Sequence, residues 1–402
     1  MKNYFEKLER RVQKYKTKYA NRPRKAAFKL ALWNTLCVFK RHKRQDIVDL
    51  QSITKPVNKI ALAINGGIGD YITAINYAAY LYNFLNKQTP IDIFVKNPKS
   101  MKTLFSKSVN FDFFERDSIH EKKEYPLKLN LNRFPEILYC NETALHEMMP
   151  NVIPLLNAWE KIKKEAGLYF EIDPRADALT VQYAQVNGAK KRIQQPDIDG
   201  ILGVKEEHLI KLYPESTTEV LEKFGLNDCV FITMNRGTDT GNKDNEVTRM
   251  WPLENYAKLV KLIKNKYPRC KIVQLGYSPE WCRLIDGIDI DLRGKTTLFE
   301  LKSLLFASAL HIDYEGGMVH LRKALGVGKS IVLFGPTNPN WLGYDTNINI
   351  CTNKCCFCEN LTPNWQKYCS NHKFPHICME SITPEMVFNK VNAVLSSVKS
   401  RV

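Results

Sequence analysis

The sequence is most informative at Tyr314-Glu315-Gly316-Gly317-Met318-Val319-His320-Leu321 and, a few residues later, at Lys329-Ser330-Ile331-Val332-Leu333-Phe334-Gly335-Pro336-Thr337. Apolar residues recur at helical spacing over 318–325, which predicts a helix with one buried face. Residues 331–334 then predict a short buried strand. The glycine pair at the helix start exposes unpaired amides at the positive end of the helix dipole, which favours an anion such as a diphosphate. A tight connection without a ligand is the alternative.

A second glycine-rich turn lies near residue 65. Residues 59–64 predict a strand, in which Lys59 is followed by five apolar residues. Such a run is typical of a strand in a parallel sheet covered on both faces. They lead into Asn65-Gly66-Gly67-Ile68-Gly69-Asp70, and residues 71–86 predict an apolar helix. The turn departs from the dinucleotide pattern G-x-G-x-x-G, so it gives little support for NAD binding. Asp70 follows the first strand, where open α/β sheets bind ligands, and it can cap the helix, act as a general base, or do both.

Strands and helices alternate over the second half of the chain. Residues 229–234, 271–275 and 309–313 predict buried strands, and the helices predicted between them cover 253–264 and 298–308. Such alternation is typical of a parallel α/β domain.

These patterns divide the chain into three parts. Residues 1–50 predict a basic helical extension, 57–222 an N-terminal α/β domain, and 226–402 a C-terminal α/β domain. Within the N-terminal domain, residues 145–166 predict helical segments and 168–172 a strand.

Positive charge is concentrated at the N-terminus. The 402 residues carry a formal charge of +17, and residues 1–50 alone hold 15 Lys/Arg against 4 Asp/Glu, or +11. Residues 26–39 predict a short apolar helix between basic clusters, which suits either an anionic membrane surface or contact with a second subunit in a homo-oligomer. No base-reading motif accompanies the charge, so nucleic acid is not expected as a partner.

The sequence shows neither a secretory signal nor a membrane-spanning run. The N-terminus lacks an apolar segment before a cleavage site, and no run reaches the roughly 18 apolar residues of a transmembrane helix. These features predict a cytoplasmic protein, which the basic helix can hold peripherally on the inner face of the membrane.

Six of the 11 cysteines fall within residues 351–378. In a reducing compartment, clustered cysteines bind metal more often than they form disulfides. Four thiolates suit a structural zinc or iron ion; a C-x-x-C redox pair is the competing interpretation. The predicted metal ligands are Cys355, Cys358, Cys369 and Cys378. Cys351 or Cys356 could replace one of them, and His372 and His376 are further candidates.

Several motifs, in their order along the chain, resemble those of glycosyltransferase family 9, the ADP-heptose heptosyltransferases of lipopolysaccharide assembly. The family has G-x-G-D after its first strand, a basic residue two positions before Trp-Pro, Gly-Lys-Thr before a helix, D-S-G-x-x-H-L, and F-G-P-T. The matching segments are Gly67-Ile68-Gly69-Asp70, Arg249-Met250-Trp251-Pro252, Gly294-Lys295-Thr296, Glu315-Gly316-Gly317-Met318-Val319-His320-Leu321 and Phe334-Gly335-Pro336-Thr337.

The resemblance implies a GT-B fold, in which two Rossmann-like domains with parallel sheets face each other across a cleft. It implies that Asp70 is the general base and that Arg249 binds the leaving diphosphate, with no catalytic metal. A fixed cation and a helix N-terminus would stabilise the charge that builds on that group. The residues that it assigns to the donor site are Gly67, Gly69, Lys295, Thr296, Thr297, Glu315, Gly316, Gly317, Met318 and His320.

The implied activity is inverting transfer of a sugar from a nucleotide-sugar donor to a glycolipid or protein acceptor. ADP-heptose is the expected donor, and a lipopolysaccharide core or a protein hydroxyl is the expected acceptor. The chain departs from the family at Glu315, where Asp is usual, at Gly316, where Ser is usual, and at Arg249, where Lys is commoner. A transferase for another nucleotide sugar, or a non-catalytic assembly or membrane-docking protein of the same fold, is the alternative. For His320, a structural role on an apolar helix face is the alternative.

The cysteine segment resembles the insertion of the autotransporter heptosyltransferases, a branch of this family. In that branch four cysteines hold iron, the subunits assemble into large rings, and the acceptor is an adhesin protein. The resemblance therefore implies a cysteine-bound metal and a homo-oligomer.

Overall fold

The computed structural model describes residues 55–131, 133–170, 178–237, 248–352, 354, 357–362, 365–369 and 377–398, with the side chains of 168–170 excepted. The predicted basic extension and its apolar helix lie outside the described residues. So does Cys355. Residues 54–402 belong to one compact unit.

A first sheet forms the centre of the N-terminal half. Its strand order is β3-β2-β1-β4-β5. β1, β2, β3 and β4 run parallel, while β5 pairs antiparallel with β4 at the edge. The strands are β1 (Ile60–Ile64), β2 (Ile91–Val95), β3 (Asp112–Glu115), β4 (Leu127–Leu131) and β5 (Pro135–Cys140).

Helices connect and follow these strands. The helix after β1 begins two residues before Asp70, because the glycine turn is itself part of the first helical turn. The helices are α1 (Ile68–Phe84), α2 (Pro98–Leu104), α3 (Glu142–Met148), α4 (Ile153–Phe170), α5 (Ala178–Val186) and α6 (Thr217–Lys223), with 3₁₀ turns at Arg116–His120, Pro150–Val152, Arg192–Asp197 and Glu206–His208.

A second, wholly parallel sheet forms the C-terminal half. Its order is β11-β10-β9-β6-β7-β8. The strands are β6 (Phe231–Asn235), β7 (Lys271–Leu275), β8 (Ile290–Asp291), β9 (Leu310–Tyr314), β10 (Ser330–Leu333) and β11 (Ile348–Ile350). The helices are α7 (Leu253–Lys266), α8 (Leu298–Ala307), α9 (Gly317–Ala324), α10 (Pro339–Leu342), α11 (Ile377–Glu380) and α12 (Pro384–Leu395), with a last 3₁₀ turn at Ser396–Val398.

The predicted fold class of two parallel-sheet α/β halves is confirmed. β1, β2, β6, β9 and β10 are buried along their whole length. Strands covered on both faces read as continuous apolar runs, which is why these were visible in the sequence.

Residues 168–170 correct the sequence-based prediction of a strand over 168–172. They form the last turn of α4. A short apolar run cannot be assigned by periodicity alone, and here the helix that begins at Ile153 continues through it.

The two halves share one apolar core. Leu62 and Ile75 of the first half lie in the same cluster as Leu304 and Leu321 of the second. The amide of Leu212 donates to the carbonyl of Ala324 at 2.8 Å, which ties the connecting segment to α9. The carboxyl ends of β1 and β9 therefore lie on the two sides of one contact zone.

Lys302 adds hydrogen bonds between the two halves in this contact zone. Its side chain is fully buried, and its Nζ donates to the carbonyls of Thr103 and Leu104 at 3.2 and 3.4 Å. A buried ammonium needs such acceptors, because an unpaired one would be strongly destabilising.

Within the described residues, no helix combines the length and apolar character that crossing a bilayer requires.

Candidate active site

Asp70 lies in the first turn of α1, at the end of β1. Its Oδ2 accepts a hydrogen bond of 2.9 Å from the amide of Gly67, the residue that caps the helix. A carboxylate in the first turn satisfies an orphan amide and complements the helix dipole. The expected capping role is therefore present, and it fixes one oxygen of the carboxylate.

Arg192 holds the other oxygen. Its guanidinium donates to Oδ1 of Asp70 in a close ion pair. Burial would raise the pKa of Asp70, but the charge of Arg192 and the Gly67 amide outweigh burial, so the pKa lies below its ordinary value. Asp70 is thus ionised at neutral pH, with its side chain 34% exposed.

Glu315 follows β9 and faces the same region from the second half. Its Oε2 lies 3.4 Å from Nη1 of Arg249, and its Oε1 lies 3.5 Å from Nε2 of His320. Burial would raise the pKa of Glu315, yet the hydrogen bond from His320 and the charge of Arg249 lower it to about 2. A buried carboxylate is tolerated here because cations surround it.

Aromatic rings enclose Arg249. Its guanidinium carbon lies 5.2 Å from the ring centre of Tyr314 and 6.0 Å from that of Trp365. The preceding Thr248 is bound to the backbone of residues 365 and 366, through its hydroxyl and its amide, each at 2.9 Å. The cysteine-rich segment therefore forms one wall of the Arg249 site.

His320 lies on the buried face of α9 and contacts two side chains, those of Tyr344 and Glu315. Its Nδ1 lies 2.7 Å from the hydroxyl of Tyr344, while Nε2 faces Glu315. The Tyr344 contact supports a structural role, and the Glu315 contact places the ring beside another residue assigned to the donor site, so its role there stays a prediction.

The two glycine motifs meet at this point. A Cβ on Gly69 would lie 2.5 Å from Cδ2 of His320, and a Cβ on Gly317 would lie 3.3 Å from that of Ile68. Any larger side chain at position 69 would force the two motifs apart. Glycine is therefore required here for close approach between the halves and not for an unusual backbone angle.

Two adjoining clefts open beside this contact. Asp70 and Arg192 line the first, together with Asn65, Thr73, Ala74, Leu131, Arg133, Gln195 and Pro196. Arg192 and His320 line the second, together with Thr73, Lys191, Ile193, Glu206, Trp341, Leu342, Gly343 and Tyr344. Arg192 thus separates a cleft on the Asp70 side from one on the His320 side.

The structure brings together most of the predicted site residues but not Lys295, Thr296 and Thr297. Thr297 is the N-cap of α8, where its hydroxyl accepts from the amide of Glu300 at 3.2 Å. Nζ of Lys295 donates to the carbonyl of Asp291 at 2.8 Å. Within the described part of the chain, no hydrogen bond or ion pair joins these three residues to Asp70 or Glu315.

Met318 and the glycines of the second motif contribute packing and backbone. Met318 packs partly buried against the shared core. Gly316 is the N-cap of α9, and Gly317 is its first residue, next to Ile68 of the first glycine motif. The amides of a first helical turn lack partners within the helix, so the anion site expected here stays a prediction.

The cysteine-rich segment lies against the turn after β10. The amide of Cys358 donates to the carbonyl of Pro336 at 2.9 Å, and Sγ of Cys378 lies 3.2 Å from where a Cβ on Gly335 would stand. Both thiols are buried, whereas Cys369 is half-buried. The described residues alone contain no group of three ligands able to hold a metal, and Cys355 lies outside them.

Three side chains of the site carried no signal in the sequence. Arg192 and Tyr344 lie in connecting segments without apolar periodicity, and Trp365 lies among turn residues. Aromatic and Arg residues in such segments resemble ordinary surface residues until the fold places them.

A family model described as glycosyltransferase family 9 (heptosyltransferase) matches residues 210–374. The match includes Arg249, Glu315 and His320. This chain carries a glycosyltransferase family 9 domain. The predicted family is thereby confirmed, and so is the prediction that the chain is a glycosyltransferase. No curated protein sequence matches the chain.

Solved structures of glycosyltransferases share the fold. Heptosyltransferase II of Escherichia coli, an ADP-heptose lipopolysaccharide transferase, is 17% identical, with 85% of this chain and 99% of that chain covered and a TM-score of 0.53. TibC of enterotoxigenic Escherichia coli H10407, an iron-containing dodecameric glycosyltransferase, is 12% identical, with 87% and 79% covered and a TM-score of 0.56. A family 9 glycosyl transferase from Veillonella parvula DSM 2008 is 14% identical, with 86% and 99% covered and a TM-score of 0.50.

Proposed function

We propose that this glycosyltransferase moves a heptose from ADP-heptose to an acceptor hydroxyl, with inversion at the anomeric carbon. The acceptor is a lipopolysaccharide core sugar or a protein side chain. The observation that carries the proposal is the approach of the Asp70 turn to His320, where a Cβ on Gly69 would lie 2.5 Å from the ring. Arg192 lines a cleft with Asp70 and another with His320, and Glu315 joins His320 to Arg249. The donor is favoured by TibC, which has been solved in complex with ADP-D-beta-D-heptose.

The proposed reaction is a direct displacement. Asp70 accepts the proton of the acceptor hydroxyl, and the acceptor oxygen attacks the anomeric carbon from the face opposite the diphosphate. As that bond forms, the bond from the anomeric carbon to the diphosphate oxygen breaks, and its electron pair leaves with ADP. Arg249 and the first-turn amides of α9 stabilise the charge that develops on the diphosphate.

Nucleotide binding is the first test. At a concentration 100 times its Kd, a ligand that binds only the folded state adds about 2.7 kcal/mol to stability. We expect ADP and ADP-heptose to raise the melting temperature, and UDP and GDP to leave it unchanged. A shift with UDP or GDP compounds instead would keep the fold and change the donor. Protein that responds to no nucleotide would favour the assembly or membrane-docking alternative.

The acceptor is tested by transfer of labelled heptose. One reaction contains lipopolysaccharide truncated before its heptoses, and a second contains an unglycosylated autotransporter adhesin. Label in only one of them identifies the acceptor class. The configuration of the new linkage, read by NMR, tests inversion, and a retained configuration would contradict the displacement.

We also propose that a structural iron or zinc ion is held by the predicted cysteines 355, 358, 369 and 378. The proposal is supported by the two buried thiols beside the Gly335–Pro336 turn, and by the iron reported for TibC. Such an ion would stabilise the wall that contacts Arg249 and would take no part in transfer.

Metal analysis of freshly purified protein is expected to give about one iron or zinc per chain. A Cys378→Ser variant is expected to lose that metal and to melt at a lower temperature. Cys270→Ser is the matched control, because Cys270 is a buried thiol that directly precedes β7, outside the cysteine-rich segment. Wild-type protein without metal would contradict the site.

A further inference from the structure

Arg192 stands between the carboxylates of the two halves. It pairs with Asp70 directly, and its charge also contributes to lowering the pKa of Glu315. It lines both clefts of the site. None of the motifs that relate this chain to its family contains it, because it lies in the connecting segment between the two sheets.

The segment that carries Arg192 is anchored on both sides. Nζ of Lys191 donates to the carbonyl of Gly343 at 3.0 Å and to Asp345 at 2.6 Å. Oε1 of Gln194 accepts from the amides of Lys190 and Lys191 at 2.8 and 3.1 Å. The Arg192 backbone is therefore held by the second half while its side chain binds the first.

The end of the same 3₁₀ turn is also fixed. Both carboxylate oxygens of Asp197 accept backbone amides, from Leu202 and Val204, each at 2.9 Å. A guanidinium on such a support has little freedom, and little rotamer entropy is lost when it orients a partner.

We propose that Arg192 is the positioning residue of the general base. It holds the Asp70 carboxylate ionised and directed into the cleft on the Asp70 side, where the acceptor hydroxyl would bind. The proposal rests on the proposed function, in which Asp70 takes the acceptor proton. Since Gly67 binds Oδ2 and Arg192 binds Oδ1, the carboxylate plane is fixed at both oxygens. Each oxygen keeps a lone pair for the acceptor hydroxyl.

Charge is the second part of the argument. Without a cation, burial would favour the protonated form of Asp70, which cannot accept a proton. The charged groups that face Asp70 are Arg192 from the connecting segment, Arg133 from the β4–β5 turn and His320 from α9. Arg192 acts most strongly among them and forms an ion pair with Asp70.

The test is the pH dependence of kcat/KM for the acceptor at saturating donor. In Arg192→Gln the pKa of Asp70 is expected to rise. The acid limb of the pH profile, where activity falls as the pH is lowered, then moves to higher pH. At a pH below the pKa in both proteins, activity should then fall about tenfold more than activity at pH 8 for each unit by which that pKa rises, because the ionised fraction of the carboxylate falls tenfold per unit. In Arg192→Lys, which keeps the charge but not the fork of donors, the limb is expected to stay at its wild-type position while the rate falls at every pH.

Lys190→Gln is the matched control, because it removes one positive charge two residues from Arg192, from an exposed side chain whose residue contacts Gln194 through its backbone amide. Its limb is expected to coincide with that of the wild type. Thermal unfolding establishes whether each variant is folded. If Arg192→Gln does not fold, Arg192→Lys carries the test.

A folded Arg192→Gln enzyme whose limb does not move would overturn the inference, as would a displaced limb in Arg192→Lys. If the wild type transfers sugar and either of these two results is found, the inference about Arg192 fails and the proposed function stands. A wild type that transfers no sugar from any donor would overturn the proposed function and the inference with it.

Discussion

We expect Asp70→Asn to lower the rate of sugar transfer by about 10²–10⁴-fold, the contribution typical of a positioned general base. Asparagine has the same shape as aspartate, and its carbonyl oxygen can still accept the Gly67 amide that now binds Oδ2. It cannot take a proton from the acceptor hydroxyl at neutral pH. The measurement is kcat at saturating donor and acceptor.

Nucleotide affinity separates this effect from a general loss of structure. Arg249 and the first turn of α9 are unchanged in Asp70→Asn, so the thermal shift with ADP is expected to match that of the wild type. Asp112→Asn is the control, because it makes the same substitution in a carboxylate that is 66% exposed and lies 4.0 Å from Nζ of Lys59. Exposed pairs contribute at most about 1 kcal/mol, and we expect activity close to that of the wild type. Full activity in Asp70→Asn would remove Asp70 from the reaction.

The parts of the fold that could be predicted from the sequence are those specified by local pattern. β7 coincides with the strand predicted over 271–275, and β1 lies within the one predicted over 59–64. Thr383 caps α12, where Met386 donates to its hydroxyl at 3.3 Å, and Pro384 is the first helical residue, as the capping rule predicts. Apolar runs and caps act over a few residues, so one sequence is enough to see them.

The parts that could not be predicted depend on contacts between distant segments. Arg192 meets Asp70 across 122 positions of sequence, and Tyr344 reaches His320 only because β11 follows α10 on the same sheet edge. The antiparallel β5 was missed, since its exposed residues interrupt the apolar run. Motif residues identify one partner of each pair, and the tertiary fold supplies the other.

The second large effect is expected at Arg249. Arg249→Met is expected to destabilise the protein by about 3–5 kcal/mol, because it leaves the Glu315 carboxylate buried without its strongest cation. It is also expected to lower transfer by about 10²-fold or more, since it removes a fixed charge from the departing diphosphate. Urea unfolding and steady-state kinetics measure the two effects on the same preparation.

The pH dependence of the unfolding free energy checks the cause of that destabilisation. In the wild type the pKa of Glu315 is lowered from 4.5 to about 2, so its ionised form contributes stability above pH 4.5 that is lost as pH falls through 2. In Arg249→Met this contribution is smaller. The stability difference between the two proteins is therefore expected to shrink as pH is lowered from about 5 toward 2.

A double variant separates stability from catalysis. Arg249→Met with Glu315→Gln removes the uncompensated charge along with its partner, and replacing both members of a buried pair is often nearly neutral. We expect the double variant to recover much of the lost stability and none of the lost transfer, because the diphosphate still lacks its cation. Recovered activity would show that Arg249 acts only by compensating Glu315. Unrecovered stability would show that its stacking on Tyr314 and Trp365 matters more than the ion pair.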